Sequence, residues 1–447
     1  MTALVYGLAI AGRAVARELA RRGEAVRLVD DAPPADAEAF AREIGAELLP
    51  PPRAGGHDAL LDGVDLLVPS PGVPESHPVL AAAARRGVRA ESELEVAYRL
   101  EASGGAPRPM LGVTGTDGKT TTVRMATAML RRAGLRAEAV GNTDTPLVAA
   151  LRGDAQAFVV ECSSFRLAHV HEFRTEASAW LNFAPDHLDW HGSMSTYRAA
   201  KARMWRRARP GDVLVAPTAD PSIVADARAA GGRVVTFGDG GDYRAEAGAL
   251  RGPGGEIVRL ADLPRALPHD VADGLAAAAI VIEAGLATPA DAGAALAAYE
   301  HAPHRIQLVA ERGGVRWYDD SKATTPHAAR TAIRAFGSVV LVAGGRNKGL
   351  DLGPLAEESG RLRGVVAIGE AAADVEAAFG GRTAVARASS MDDAVEAASR
   401  MAREGDVVLL SPACASYDWY RNYGERGDDF ARAVRARLGL VAAGRSS

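Results

Sequence analysis

Gly112-Val113-Thr114-Gly115-Thr116-Asp117-Gly118-Lys119-Thr120-Thr121 is the stretch from which the rest of the chain can be read. Upstream, Met110-Leu111-Gly112-Val113 is the apolar run of a buried strand, and 120–132 carries the spacing of a helix. Glycines between a strand and a helix let backbone N–H groups wrap a polyphosphate, and the helix N-terminus adds favourable partial charge. In this reading Lys119 reaches the terminal phosphates and the Thr120 hydroxyl coordinates Mg²⁺. Val113 stands where the strict Walker spacing has its first glycine, leaving G-x-x-G-x-x-G-K-T-T. A Gly-rich turn with a solvated lysine is the plain alternative; a strand before it and a helix after it favour nucleotide binding.

The same strand–helix alternation extends in both directions. Towards the N-terminus, 3–8 and 25–29 read as strands around a helix over 12–22, and a strand over 65–68 leads through Ser70-Pro71-Gly72-Val73-Pro74 to a helix over 77–86. Residues 101–109 have linker composition. Beyond the loop, strands are expected at 157–160, 177–183, 213–216 and 234–237. After a break near His301-Ala302-Pro303, more follow at 339–343, 365–368 and 407–410. Such alternation implies parallel sheets with helices on both faces.

Bulk properties narrow the class. The 447 residues suit three domains of about 150 residues each. With 48% apolar and 24% charged residues and a net charge of -4, the chain is not built to neutralise a nucleic-acid backbone. Two distant cysteines, Cys162 and Cys414, argue against a disulfide scaffold. Residues 1–10 lack the basic segment of a secretory leader, and the apolar stretch 275–287 is interrupted by Glu283 and too short to span a bilayer. A cytoplasmic location without membrane insertion is expected.

Two further segments carry chemistry. The strand over 157–160 ends at Glu161, followed by Cys162-Ser163-Ser164-Phe165; an acid at that strand end, beside a phosphate loop, is where a further Mg²⁺ ligand is needed. Alone, Glu161 would read as a surface carboxylate. Leu181-Asn182-Phe183-Ala184-Pro185-Asp186-His187-Leu188-Asp189-Trp190-His191 is the densest polar cluster, and could be a hydrolase-type metal site or a capped helix start.

These segments resemble those of the Mur ligases and folylpolyglutamate synthases, whose loop usually has Asn where this chain has Asp117. The resemblance implies that Gly115, Thr116, Asp117, Gly118, Lys119, Thr120 and Thr121 hold ATP, and that Thr120, Glu161 and His187 hold Mg²⁺. Tyr197-Arg198-Ala199-Ala200-Lys201-Ala202-Arg203 is similar to the family's lysine region; there the lysine carries a carbamate, which implies Lys201 as a further metal support. Lys119, Glu161, His187 and Lys201 are thereby the implied catalytic set.

The C-terminal third resembles the D-glutamate-adding branch of the Mur ligases, through Asp319-Asp320-Ser321-Lys322-Ala323-Thr324-Thr325 and Ser411-Pro412-Ala413-Cys414-Ala415-Ser416. Pro303-His304-Arg305 is similar to the family's hinge, which puts Arg305 near ATP phosphates, and Asp320 is implied at the ribose or its metal environment. Lys322, Thr324, Ser416, Tyr423 and the Lys348 of Gly344-Gly345-Arg346-Asn347-Lys348 would take the incoming dicarboxylate. His269-Asp270-Val271-Ala272-Asp273 has Asp where the family has Asn at the adenine, so Asp273 can accept but not donate there. Ser70, Asn142 and Ser163 are implied around UDP-N-acetylmuramoyl-L-alanine, with D-glutamate as co-substrate and a monomer as the working unit.

The expected build is therefore α/β in three domains: a Rossmann-like UDP-substrate domain over 1–106, a central P-loop ATPase-like domain over 107–300, and a C-terminal Rossmann-like parallel sheet over 301–447. Three rivals stand beside it: a sibling Mur-type or folylpolyglutamate-type ligase, a non-catalytic nucleotide-binding protein, and an NAD-dependent oxidoreductase. The last rests on Gly7-Leu8-Ala9-Ile10-Ala11-Gly12 with Asp30, close to a dinucleotide fingerprint but with Ala9 at its second glycine.

Overall fold

The computed structural model describes residues 1–53, 55–347 and 349–440. The chain falls into two compact units, Met1–Ala266 with Asp270–Tyr299, and Leu267–His269 with Glu300–Ser447.

The first unit holds two parallel sheets. The N-terminal one comprises β1 (Thr2–Tyr6), β2 (Ala25–Val29), β3 (Glu47–Leu48), β4 (Leu66–Pro69) and β5 (Arg89–Ala90), in the order β3-β2-β1-β4-β5. β1 stops at Tyr6, earlier than the apolar pattern suggests, because Gly7 turns at φ 96 into the helix Ile10–Arg21. That helix buries Ala11, Val15, Ala16 and Leu19 on one face, the helical spacing of its apolar residues.

The central sheet comprises β6 (Met110–Thr114), β7 (Ala137–Gly141), β8 (Ala157–Glu161), β9 (Ala177–Trp180), β10 (Val213–Pro217) and β11 (Arg233–Phe237), in the order β11-β10-β9-β6-β8-β7. All its strands run parallel, and both faces are covered. Leu275 to Val281 are buried in the core behind it, which is why that stretch is apolar all round. A small antiparallel sheet follows, formed by β12 (Arg244–Glu246), β13 (Ala249–Gly252) and β14 (Gly255–Arg259), and was not expected from the alternation.

The segment read as a linker, 101–109, is pinned. Helix Glu93–Ala102 runs into it, and Arg108 binds Glu101 through Nε and Nη2, both at 2.7 Å, and donates to the Leu151 carbonyl. Further back, the buried Glu95 carboxylate accepts the backbone N–H groups of His171, Glu172 and Phe173 at 2.8–2.9 Å. Glu93 forms a buried ion pair with Arg166 at 2.9 Å. These contacts fasten the N-terminal sheet to the central one.

The second unit has one sheet: β15 (Gln307–Arg312), β16 (Val315–Asp319), β17 (Val339–Gly344), β18 (Leu362–Ile368), β19 (Val385–Arg387) and β20 (Val407–Leu410), ordered β15-β16-β20-β17-β18-β19. The expectation of a wholly parallel sheet is corrected at one edge, where β15 pairs antiparallel with β16. A tight Gly313-Gly314 turn joins the two strands, so no crossover helix intervenes and the parallel rule does not apply. The other pairings are parallel. Among the described residues no helix is long and apolar enough to cross a membrane.

Candidate active site

In a parallel sheet, side chains that act on ligands gather beyond the carboxyl ends of the strands. In the first unit four adjacent strands, β9-β6-β8-β7, end in Asn182 and His187, the glycine loop, Glu161, and Asn142 respectively. The loop leads directly into helix Lys119–Arg132, whose fourteen residues present unpaired N–H groups at their start. Gly118 enters that helix at φ 82, and a Cβ there would collide with Asp273 Oδ1. Only glycine serves on both counts, and Asp273 is thereby placed against the loop.

The loop is braced from behind by Asn182. Its Oδ1 accepts from the amides of Thr116 and Asp117, both at 2.9 Å, and its Nδ2 donates to the Asp117 carbonyl at 3.2 Å. This is why β9 stops at Trp180 instead of continuing to 183: the chain turns to serve the loop. Asn182 was quoted within the polar run but not recognised as a site residue; its position one strand over from the loop is a property of topology, not of local pattern.

Two lysines converge on one oxygen. Lys119 Nζ donates to the carbonyls of Gly115 (2.9 Å) and Thr116 (2.7 Å), and Lys201 Nζ donates to the same Gly115 carbonyl at 2.7 Å. Lys201 is 1% exposed and lies 4.6 Å from the Tyr197 ring centre. Burial, and next the charge of Lys119, push its ammonium far below the ordinary lysine range. Both causes favour the neutral amine over the ammonium at this position. The chain has only four lysines, Lys119, Lys201, Lys322 and Lys348, and every other Lys-or-Arg position is arginine. A guanidinium neither titrates in this range nor meets a single carbonyl as a point charge does, so Lys119 and Lys201 do at the Gly115 carbonyl what arginine would not.

Glu161 ends β8, in register with Val113 of β6. It is 2% exposed; Oε1 accepts from Asn142 Nδ2 at 3.0 Å, while Oε2 is buried with no hydrogen-bond partner among the described residues. An orphaned buried carboxylate oxygen is costly unless a ligand completes it. Mg²⁺ fits, since that ion characteristically takes one or two carboxylates and completes its shell with phosphate oxygens and water. Among the described residues no group of three or more His, Cys, Asp or Glu could hold a metal by itself. His187 takes a left-handed conformation, φ 53, at the start of helix Leu188–His191, with Nε2 3.1 Å from Asp186 Oδ2 and its ring 4.6 Å from that of Phe165. Such a backbone is uncommon for a non-glycine residue and marks a place where a side chain is aimed at some cost.

The remaining residues of the first unit are placed as follows. Ser163 caps helix Ser164–Leu167. Ser70 donates to the Gly7 carbonyl at 2.6 Å, filling the space that Gly12 leaves. The Asp30 carboxylate accepts the amides of Leu8 (2.7 Å) and Ala32 (2.9 Å). The acid that a dinucleotide site would turn towards a ribose is thus engaged by its own loops. His191 bonds Ser164 Oγ (2.9 Å) and Glu75 (3.2 Å), and Trp190 donates to the Pro71 carbonyl at 3.1 Å, so the 70–75 loop meets the polar run of the central sheet.

In the second unit the two motif runs follow adjacent strands, β16 and β20, and lock together. Ser411 donates to Asp320 Oδ2 at 2.7 Å, and Ala413, at φ 59, donates its amide to the Ala323 carbonyl at 3.0 Å. Burial pushes the Asp320 carboxyl up to about 7. Half-buried Arg305 lies near enough to pull it the other way. Arg426, unremarked in the sequence, is buried and donates to Ser321 Oγ and to the carbonyls of Ser321, Cys414 and Ala415. Lys322 Nζ lies 5.2 Å from the Tyr423 ring centre; Thr324 is half-buried, Ser416 buried and Tyr423 exposed. Lys348 lies outside the described residues.

A phosphate loop at the head of one parallel sheet, a titratable lysine beside it, and a second strand-end cluster in a separate unit define a nucleotide-dependent ligase. Comparison with known proteins specifies it. The Mur ligase middle domain matches residues 113–257, and the Mur ligase, glutamate ligase domain matches residues 304–414. UDP-N-acetylmuramoylalanine–D-glutamate ligase of Frankia casuarinae is 44% identical over 98% of this chain and 94% of its own length. That of Thermobifida fusca is 40% identical over 97% and 98%. Among solved structures, MurF ligase of Thermotoga maritima in complex with ADP shares the fold at TM-score 0.60 and 19% identity, covering 87% of this chain and 93% of that one. UDP-N-acetylmuramate–alanine ligase of the same organism does so at TM-score 0.58 and 19% identity, covering 98% and 99%. The chain belongs to the Mur ligase family and is an ATP-dependent ligase of peptidoglycan synthesis.

Proposed function

We propose that this ligase joins D-glutamate to UDP-N-acetylmuramoyl-L-alanine through an acyl phosphate, releasing ADP and phosphate. The observation that carries the reading is the pairing of Lys119 and Lys201 on the Gly115 carbonyl beside a β8 carboxylate with an unbonded oxygen. That arrangement suits a triphosphate whose last phosphoryl group leaves with its charge neutralised.

In this mechanism Lys119 swings from its own carbonyls to the phosphates, and the amides from Gly118 to Thr121 bind the β and γ oxygens, on a loop that Asn182 braces through the Thr116 and Asp117 amides. Thr120, Glu161, His187 and a carbamylated Lys201 would hold Mg²⁺, which supplies charge neutralisation at the transferring phosphoryl. A neutral buried amine at Lys201 is the form that adds CO₂. Asp273 accepts from the adenine amino group, while Arg305 and Asp320 meet the phosphates and ribose. Ser70, Asn142 and Ser163 position the nucleotide-sugar so that its alanine carboxylate faces the γ-phosphate. Lys322, Thr324, Lys348, Ser416 and Tyr423 bind the carboxylates of glutamate and present its amine to the acyl phosphate. The amine attacks, and the tetrahedral intermediate expels phosphate. The domains divide at 106/107 and 300/301, and the enzyme works as a cytoplasmic monomer.

The test offers purified protein UDP-N-acetylmuramoyl-L-alanine and Mg²⁺-ATP with single amino acids, reading phosphate release. Turnover with D-glutamate alone is expected. Turnover with L-alanine or a diamino acid, but not with D-glutamate, would assign the chain to a sibling activity.

A further inference from the structure

Away from the nucleotide loop, the first unit has a pocket of about 380 Å³ lined by Tyr98, Glu172, Arg174, Arg206, Arg207, Ala208 and Arg209. Four of its seven lining residues are arginines, and one is acidic. Arg174 is balanced by Asp212 and Glu176, and Arg207 by Glu172 at 2.6 Å. Arg206 and Arg209 form no ion pair among the described residues. The pocket therefore keeps an excess of guanidinium charge in a chain whose net charge is -4.

Its walls are built, not loose. Glu172, one of the lining residues, sits in the stretch His171 to Phe173, whose three amides are tied to the buried Glu95 carboxylate. Asp212 fixes both the Arg174 guanidinium (Nε donating at 2.7 Å) and the Arg209 amide (2.7 Å), and its own amide donates to the Arg209 carbonyl at 2.8 Å. This frame fixes Arg174 and the Arg209 backbone, while the exposed Arg206 and Arg209 side chains carry planar forks that match phosphate oxygens in pairs.

We infer that this pocket is a second anion site, which takes a compact oligophosphate separately from the ligase chemistry. It touches none of the residues assigned to ATP, metal or amino acid. Its Arg206–Arg209 rim continues from the segment that carries Lys201, through the 3₁₀ turn Arg203–Trp205. Occupancy is thus placed to report on, or adjust, the position of that lysine.

Calorimetric titration with inorganic pyrophosphate tests this on the full chain, on Lys119→Ala and on Arg206→Ala/Arg209→Ala. Two binding events are expected in the wild type, with the pocket event surviving in Lys119→Ala. In the double arginine variant that event should weaken about tenfold or more, while ligase turnover without pyrophosphate stays unchanged. A single event abolished by Lys119→Ala, titrations identical in wild type and the arginine variant, or no binding at all would each overturn the site. Arg206→Lys/Arg209→Lys, which keeps charge but loses the fork, should bind with intermediate strength.

Discussion

In the first unit, Lys119 and Lys201 share one carbonyl oxygen, and Glu161 holds a buried oxygen with no hydrogen-bond partner among the described residues. In the second, Asp320 is met by Ser411 and the Ile306 amide, and Arg426 by the Ser321 hydroxyl and three carbonyls. Both clusters occupy the carboxyl ends of parallel strands, yet one is left electrostatically unfinished and the other is closed upon itself. The contrast separates two tasks. A site that must receive a triphosphate keeps like charges crowded and an acid unsatisfied until the ligand arrives. The assignment proposed for the second cluster, a small dicarboxylate, calls for a rigid frame of this kind, with Lys322 and Tyr423 as its proposed contacts.

The sharpest break of this contrast is Lys119→Ala. Loss of the ammonium proposed to bind the phosphates should reduce ADP formation by about 10³-fold or more, while circular dichroism shows the fold intact; normal turnover would remove the loop from the reaction. Next comes Glu161→Gln. It keeps the Asn142 contact and discharges the orphaned oxygen, so turnover should fall about 10²-fold with no loss of melting temperature. A variant both inactive and destabilised would make Glu161 structural.

Arg166→Ala strikes the joint instead of the site. Its partner Glu93 is buried, and burial already raises the Glu93 carboxyl against the pull of Arg166. Removing one partner of such a pair should cost about 3–5 kcal/mol in urea unfolding. Glu93→Gln/Arg166→Gln, which leaves no lone charge, should recover most of it.

The smallest effects are in pH, and the two units should respond with opposite sign. His169, at about 4 through burial against an ordinary 6.5, contributes stability that is full above about 6.5 and lost as the pH falls towards 4. Asp320, at about 7 through burial against an ordinary 3.8, contributes stability that is full below 3.8 and lost as the pH rises through 7. Thermal melts from pH 4 to 8 should therefore lose part of their acid slope in His169→Phe and part of their alkaline decline in Asp320→Asn, each by about 2–4 °C. Equal curves for the variants and wild type would show that neither group is coupled to folding.

Much of this arrangement was readable from local pattern. The strand before the glycine loop, the helix after it, and β2, β8, β10, β17 and β20 fall within a residue or two of where apolar runs placed them. The motif residues stand at strand ends because a loop signature fixes its own flanks. What escaped was non-local. Asn182 reaches a loop sixty-five residues away from it in sequence, and Glu93 finds Arg166 seventy-three residues on; neither partner alters the periodicity around the other. The β12–β14 sheet escaped for another reason: Arg244-Ala245-Glu246 and Ala249-Leu250-Arg251 bury too few side chains to impose an alternating pattern. Arg426 is hidden in a helix that looks like any solvated one until the carbonyls it serves are folded over it.

The scarcity of primary amines has a practical corollary for spectroscopy. With lysine enriched in ¹³C at its ε carbon, the protein would yield just four side-chain signals, from Lys119, Lys201, Lys322 and Lys348. Under the proposed assignments the four would report on three reactants: Lys119 on the triphosphate, Lys201 on carbon dioxide, and Lys322 and Lys348 on the acceptor amino acid. An ordered sequence of additions could then be followed resonance by resonance, in an unmodified enzyme, without attaching any foreign label.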